Sequence, residues 1–342
     1  MDGRVSIVAT APLRVDLAGG FSDVPPFCEE RGGFVVNVAI QQFAMARAAA
    51  GSRGMDIRLR RAPRDWIKKI YHKNEAVEPD DPLAPFVVCV RDAGLDNIKL
   101  TIRSGGPPSS GLGTSGAALV AAQAAVRTLA GLDARAVFLA KRAREIEVDE
   151  LQHIGGGQDP IAAAHGGILA ISFVKGGRAG RARKLFTSDE FIKSLERRML
   201  LVDLDVPRAS SARIARVAAK IVRRDNATIL RLEEMAARAR DAARSIRREW
   251  IDDTIESICK HAAILRDLDP CIYDGGVGAA IDAAVEAGAR CGKPCGAGGG
   301  GCVAIFTEPD RRASVISAMR ARGFRIIPVK IARDGVIIKH NN

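Results

Sequence analysis

The sequence predicts an α+β chain of two lobes, and three observations carry that prediction. The chain has 342 residues, more than one small core accommodates. Its apolar share of 47% supplies a sizeable core and argues against wholesale disorder. Strand-like and helix-like stretches come in groups rather than in strict alternation, which is the α+β pattern. The expected division leaves one domain over 1–175 and a second over 176–342.

Taken in order, Val5–Ala9 reads as a strand, with a turn at Ala11-Pro12-Leu13 and a second short strand at Arg14–Leu17. Gly33–Ile40 and Phe43–Ala49 read as a pair of strands, and Met55–Arg60 as another candidate. A helix is expected over Pro82–Asp92. The alternation in Ile98–Ile102 predicts a strand that points into a Gly/Ser-rich loop. Thr114–Leu129 and Ala134–Gln152 read as helices, the second broken by Gly155-Gly156-Gly157, and Gly167–Phe173 as an apolar strand. The Gly/Arg-rich stretch 176–183 reads as a hairpin or linker. Beyond it, strands are expected at Met199–Val202, Val303–Phe306 and Arg325–Val329. Helices are expected at Ala209–Val222, Ile229–Ile246, Trp250–Leu265, Ala279–Ala287 and Arg311–Arg322.

The net charge is +12, yet aromatic residues make up only 4% and do not interleave with the basic ones. Base stacking on aromatic platforms is therefore poorly supported, whereas a basic surface suits anionic small molecules such as ATP or a sugar phosphate. The Arg-rich pieces at 58–69 and 238–248 read as solvated faces. Seven cysteines, scattered and without a CxxC pair, point to reduced thiols, and the cluster Cys291, Cys295 and Cys302 has no nearby histidine to make a zinc site. With no apolar run of membrane-spanning length and no signal-like N-terminal segment, a soluble cytoplasmic protein is expected.

The most informative segment is Gly105-Gly106-Pro107-Pro108-Ser109-Ser110-Gly111-Leu112-Gly113-Thr114-Ser115-Gly116, a loop that feeds an Ala-rich helix. A helix start presents unpaired N–H groups and a positive dipole end, and small residues let a ligand approach the backbone. Phosphate is the natural guest. No Lys precedes the Thr114-Ser115 pair, so this is not the lysine-bearing P-loop. One of those two hydroxyls is expected to cap the helix and the other to reach a magnesium ion.

Glu147 falls on a helical stripe with Ala136, Ala140, Ala143 and Leu151, where a carboxylate is costly unless paired with an Arg or bound to a cation. Asp159, after three glycines and before Pro160, reads either as a helix cap or as a general base brought up to a ligand. Arg14 in an apolar strand is either an ion-pair partner or a group that neutralises a transferring phosphoryl. Asp23, before Pro25-Pro26, is either a turn residue or an acceptor for sugar hydroxyls. The run Gly296-Ala297-Gly298-Gly299-Gly300-Gly301 leads straight into an apolar strand, which favours an ordered turn.

Three segments in this order resemble the GHMP kinase superfamily. They are Ala11-Pro12-Leu13-Arg14-Val15-Asp16-Leu17-Ala18-Gly19-Gly20, Pro107 to Gly116, and Lys293 to Cys302. The run from Ala18 to Pro26 resembles the A-G-G-G-T-D-x-P-P pattern of its sugar-kinase branch, with heptose 7-phosphate kinases and fucokinase-like enzymes as the similar members. Phe21 stands for a Gly of that pattern, Ser22 for a Thr, and Pro160 for the usual Gln. The resemblance implies a ribosomal-protein-S5-like N-terminal lobe and a ferredoxin-like C-terminal lobe with the active site between them. It further implies Asp159 as base, assisted by Arg14, and magnesium on Ser115 and Glu147. ATP phosphates would lie on Pro108, Ser109, Ser110, Gly111, Leu112, Gly113, Thr114 and Ser115. Acceptor contacts would come from Gly20, Asp23, Gly298 and Gly299, with Arg208 for any phosphate on the substrate.

The implied activity is ATP- and magnesium-dependent phosphorylation of a hydroxyl, the anomeric one first, of a sugar or sugar phosphate such as a heptose 7-phosphate. The alternatives are a kinase of mevalonate type and a non-catalytic nucleotide-binding relative. The expected partners are ATP and the sugar, with neither nucleic acid nor membrane, and a homodimer stays open.

Overall fold

The computed structural model describes residues 6–107, 109–177, 179–206 and 210–341. Among them are two sheets and eleven α-helices. The first strand, β1 (Ser6–Ala18), runs unbroken where the sequence suggests two short strands. Pro12 sits at the point where its register with β2 (Gly33–Ala50) slips, a place where a strand tolerates the missing N–H. β2 likewise fuses two expected strands, and the short α1 (Phe27–Arg31) lies between β1 and β2. β3 (Met55–Ala62) and β4 (Asp65–Tyr71) form a hairpin whose second strand is obscured in the sequence by its adjacent Lys68 and Lys69.

Next come α2 (Ala84–Asp92), β5 (Ile98–Arg103) and α3 (Thr114–Leu129). Every residue from Gly116 to Val126 of α3 is buried. A helix with small apolar side chains on all sides belongs in an interior, where it lets β1, β2 and its helical neighbours approach closely. The single helix expected over 134–152 is instead α4 (Ala136–Arg144) followed by a π-helical turn, Glu145–Glu150. α5 (Gln158–His165), β6 (Ile168–Phe173) and β7 (Gly180–Lys184) follow, and β6 and β7 make the hairpin expected around 176–183.

The later part holds α6 (Asp189–Arg198), β8 (Met199–Asp203), α7 (Ser210–Val222), α8 (Asn226–Arg247), α9 (Ile251–Leu268) and α10 (Val277–Glu286). β9 (Ala289–Pro294), β10 (Cys302–Thr307), α11 (Arg312–Ala321), β11 (Arg325–Ile327) and β12 (Ile337–Asn341) complete the chain.

The first sheet has the order β12-β1-β2-β5-β3-β4, with β6 beside β2 and β7 beside β6. Only the β3–β5 pair is parallel among the described ladders. β12 therefore returns from the far end of the chain to pair with β1. The second sheet, β11-β8-β10-β9, is antiparallel and is covered by apolar faces of α10 and α11, including Val277, Ile281, Val315 and Met319.

One expectation about the cysteines is overturned. Cys259 on α9 and Cys291 on β9 form a disulfide, with Cα atoms 5.5 Å apart. Their separation of 32 residues leaves no local motif, and only the packing of α9 on β9 brings them together. No group of three metal-binding side chains occurs among the described residues, and no described helix is long and apolar enough to cross a membrane.

Candidate active site

β1 places Arg14 and Asp16 on one face, two residues apart, at the floor of a cavity of about 420 Å³. Arg14 is 5% exposed. Its Nε donates to Asp159 Oδ1 at 2.7 Å and its Nη2 lies 2.6 Å from the same oxygen. Its Nη1 donates to Cys295 O at 2.8 Å and to Gly111 O. One guanidinium thus ties together the Gly/Ser loop, the start of α5 and the second glycine-rich turn. Burial works against its charge, but Asp159 and Asp16 outweigh that effect and hold the group charged above its usual range.

The loop is fixed from behind. Arg14 N–H donates to Leu112 O at 2.9 Å, and Cys302 N–H to Ser110 O at 2.8 Å. Gly113 adopts φ +73, and a Cβ there would stand 3.3 Å from both Arg14 and Asp159. The first helical bond of α3 runs from Ala117 N–H to Gly113 O, so the N–H groups at 114–116 precede the helical ladder and face the cavity end. Ser109, Gly111, Gly113, Thr114 and Ser115 line the cavity, whereas Ser110 and Leu112 are buried behind it. Pro108 lies outside the described residues.

Two hydroxyl and cap expectations need correction. Neither Thr114 nor Ser115 caps α3; Gly113 occupies that position and no side-chain bond is made to it. Ser115 Oγ instead donates to Glu147 Oε1 at 2.8 Å. Glu147 sits in the π-helical turn, so its position does not follow the regular stripe, and it pairs with Ser115 rather than with an arginine. π turns of this kind are concentrated at functional sites. Burial of the carboxyl, with Asp159 adding to it against the opposing Ser115 bond, raises its pKa to about 7. Asp159 is not the cap of α5 either. Gly157 is, and Asp159 lies in the first turn, at the positive end of the helix.

Asp23 is 3% exposed and accepts a bond from Gln158 N–H at 3.3 Å. Burial, then the nearby Asp159 and Asp16, raises its carboxyl to about 7. A Cβ on Gly156 would reach within 2.1 Å of Asp23 Oδ2, so the glycine triplet makes room for Asp23. Gly20 lines the cavity over Asp16. Phe21, the residue standing for a glycine, holds φ +71. That left-handed geometry costs an L-residue roughly 1–2 kcal/mol. Gly298 and Gly299 do not line the cavity: Gly298 packs on Ile272 O and Gly299 lies under Arg213, while Gly296 and Ala297 form the wall. Arg208 lies outside the described residues.

Sequence reading misses two buried partners. Lys293 is fully buried on β9, and its Nζ donates to Asp16 O at 2.5 Å and Oδ2 at 2.8 Å. Burial opposes the Asp16 charge, but Lys293 prevails and holds the carboxyl below its usual range. The available signals are the two-residue step from Arg14 to Asp16 and a lysine between Gly292 and Pro294 in the short strand before the glycine turn. A second hollow of about 420 Å³ adjoins the loop at Gly105, Gly106 and Pro107, with Gln42, Arg60 and Arg103 opposite. Trp66, on β4 opposite Arg60, lines neither hollow, and Arg60 and Lys68 lie over its ring.

Residues 85–167 match the GHMP kinases N terminal domain, and residues 272–325 the GHMP kinases C terminal model. The chain is 26% identical over 284 residues to a bifunctional fucokinase/GDP-fucose pyrophosphorylase of Arabidopsis thaliana, covering 76% of this chain and 26% of that protein. It is 28% identical over 174 residues to a D-glycero-alpha-D-manno-heptose 7-phosphate kinase of Campylobacter jejuni, covering 49% of this chain and 51% of that one. The chain thus matches about a quarter and about half of the length of these curated relatives. In fold it is similar to a D-glycero-D-manno-heptose 1-phosphate kinase from Bacteriodes thetaiotaomicron, with a TM-score of 0.76, 23% identity and coverage of 97% and 98% of the two chains. The first match spans the Gly/Ser loop through Glu147 and Asp159, and the second spans Lys293 and the glycine turn, so the segments that build the site are those similar to the two GHMP kinase domains.

Proposed function

We propose that this protein is an ATP-dependent kinase that phosphorylates a hydroxyl of a sugar or sugar phosphate. The observation that carries the reading is the convergence of Arg14, Asp159, the Gly/Ser-rich loop and the Ser115–Glu147 pair on one cavity. Phosphoryl transfer asks little covalent chemistry of the protein; it asks for positioning and charge stabilisation. The loop and the N-terminus of α3 hold the β- and γ-phosphates through backbone N–H groups. The hollow beside Gly105 and Pro107 takes the base of ATP. Asp23 accepts hydrogen bonds from acceptor hydroxyls. Asp159 accepts the bond of the attacking hydroxyl and takes its proton as the new O–P bond forms and the bond from the γ-phosphorus to the β,γ-bridging oxygen breaks to release ADP, while Arg14 keeps that carboxylate aimed and offsets charge on the transferring group.

A hydroxyl and a half-buried carboxylate at the mouth of a phosphate loop form a donor set that fits magnesium, which needs only one or two carboxylates when phosphates supply the rest. Ser115 and Glu147 would hold it, and it would neutralise phosphate charge. The finer reading of the acceptor is the anomeric hydroxyl of a heptose 7-phosphate, with Arg208 taking the 7-phosphate. The setting is the cytoplasm, where ATP is supplied, with residues 1–175 as the ATP-binding domain and 176–342 as the second. Replacing Asp159 with Asn tests the assignment: kcat should fall roughly 10³-fold while ATP binding stays within about twofold. Near-normal turnover in that variant removes Asp159 from the mechanism.

A further inference from the structure

Two unlike groups of residues line the cavity. Asp23 stands close to Asp159 and Asp16 and accepts from Gln158 N–H, whereas Phe21, Ile214, Leu265 and Ala297 belong to one apolar cluster, with Ser211 beside them in the lining. Among the described lining residues the one Lys or Arg is Arg14, which Asp159 already engages. Phe21 is 7% exposed and joins the apolar cluster containing Leu265, Leu268, Ile272 and Ala297. Its backbone lies in the left-handed region at φ +71, directly after Gly19 at φ +93 and Gly20. A glycine would fill that position without strain, so the phenyl ring is held there against the backbone's preference. Such outliers persist where the surrounding structure over-determines them, and they gather at ligand-binding sites.

Resting on the sugar-kinase reading, we infer that Phe21 is a specificity-determining residue that selects acceptors whose edge facing it carries C–H groups, a deoxy or methyl carbon, rather than a hydroxyl or phosphate. The polar group satisfies the hydroxyls of the acceptor. The ring and its apolar neighbours cover another edge, where a hydroxyl turned toward the ring would exchange its water for apolar carbon. Selection by such a wall is modest in size, since one methylene or hydroxyl against an apolar surface changes discrimination by about 10- to 100-fold.

The test compares kcat/KM for a 6-deoxyhexose with that for the matching hexose, in the wild type and in Phe21→Gly, a change that suits the left-handed backbone. The wild type should prefer the deoxy sugar, and Phe21→Gly should reduce that preference about 10-fold or more, chiefly by lowering kcat/KM for the deoxy sugar. Phe21→Asn, which also tolerates the left-handed region, supplies the same comparison if loss of the ring prevents folding, and should shift preference toward the hydroxylated sugar. A wild type that is active on sugars but shows no deoxy preference, or folded variants with an unchanged ratio, overturns the role of Phe21 alone. A wild type inactive on both hexoses but active on a heptose 7-phosphate overturns this inference and leaves the kinase reading standing, whereas one inactive on all three overturns both together.

Discussion

Glu147 and Asp23 are the residues whose chemistry depends most on their surroundings. Both carboxyls are raised to about 7, Glu147 chiefly by burial and Asp23 by burial with Asp159 and Asp16 nearby. In the proposed function each works as an anion, Glu147 beside a cation and Asp23 as an acceptor for hydroxyls. Because the raised value keeps them protonated below about 7, kcat/KM should rise with pH through that value and level off above it. The stability sign is opposite. An unfolded Glu releases its proton near its ordinary value of 4.5, whereas the folded Glu147 holds it to about 7, so stability is lost as pH rises across that interval. Glu147→Gln should therefore raise the melting temperature by ~2–4 °C at pH 8 while nearly abolishing turnover, as thermal scans and initial rates would record. A lower melting temperature would count against a strained carboxyl there. The residue types Glu147, Asp159, Arg14 and Asp23 are legible in the sequence because each interrupts its local pattern. Their partners are not, because Lys293 meets Asp16 across 277 residues and no local pattern encodes such a pairing.

The elements that matter most are the loop before α3 and the turn after α4. The loop is readable from sequence because glycine, serine and a helix start have a local physical signature. Its geometry sharpens one point: Gly113 needs both its positive φ and its missing side chain, since a Cβ would press on Arg14 and Asp159 at 3.3 Å. Gly113→Ala should leave the fold intact but lower kcat at least about 10-fold through displacement of that pair. An alanine variant with wild-type kcat would show that the close approach is dispensable. The π-helical turn at Glu145–Glu150 escapes sequence reading because its residues fit an α-helical stripe equally well. Short or charged strands, β4, β9 and β12, escape for a related reason: their positions are fixed by neighbours in the sheet rather than by their own alternation.

At the scale of the whole molecule, the site exists only where distant parts of the chain meet. β1 brings Arg14 and Asp16, α5 brings Asp159, and β9 with its glycine turn brings Lys293 and Cys295. β12 closes the first sheet from the other end of the chain, and the Cys259–Cys291 disulfide staples α9 to β9. The two-lobe α+β class follows from the grouping of strands and helices, but this cross-chain stitching has no signature at any one place in the sequence. The proposed chemistry of the assembled site is transfer of a phosphoryl group from ATP to a sugar. The most direct measurement is phosphorus NMR of the protein with ATP, magnesium and, separately, 6-deoxyhexoses, hexoses, heptoses, heptose 7-phosphates and mevalonate. A new sugar phosphate ester and an equal amount of ADP should appear with at least one sugar, and neither with mevalonate. A phosphate ester formed on mevalonate alone, or ATP bound and left intact beside every acceptor, would contradict it.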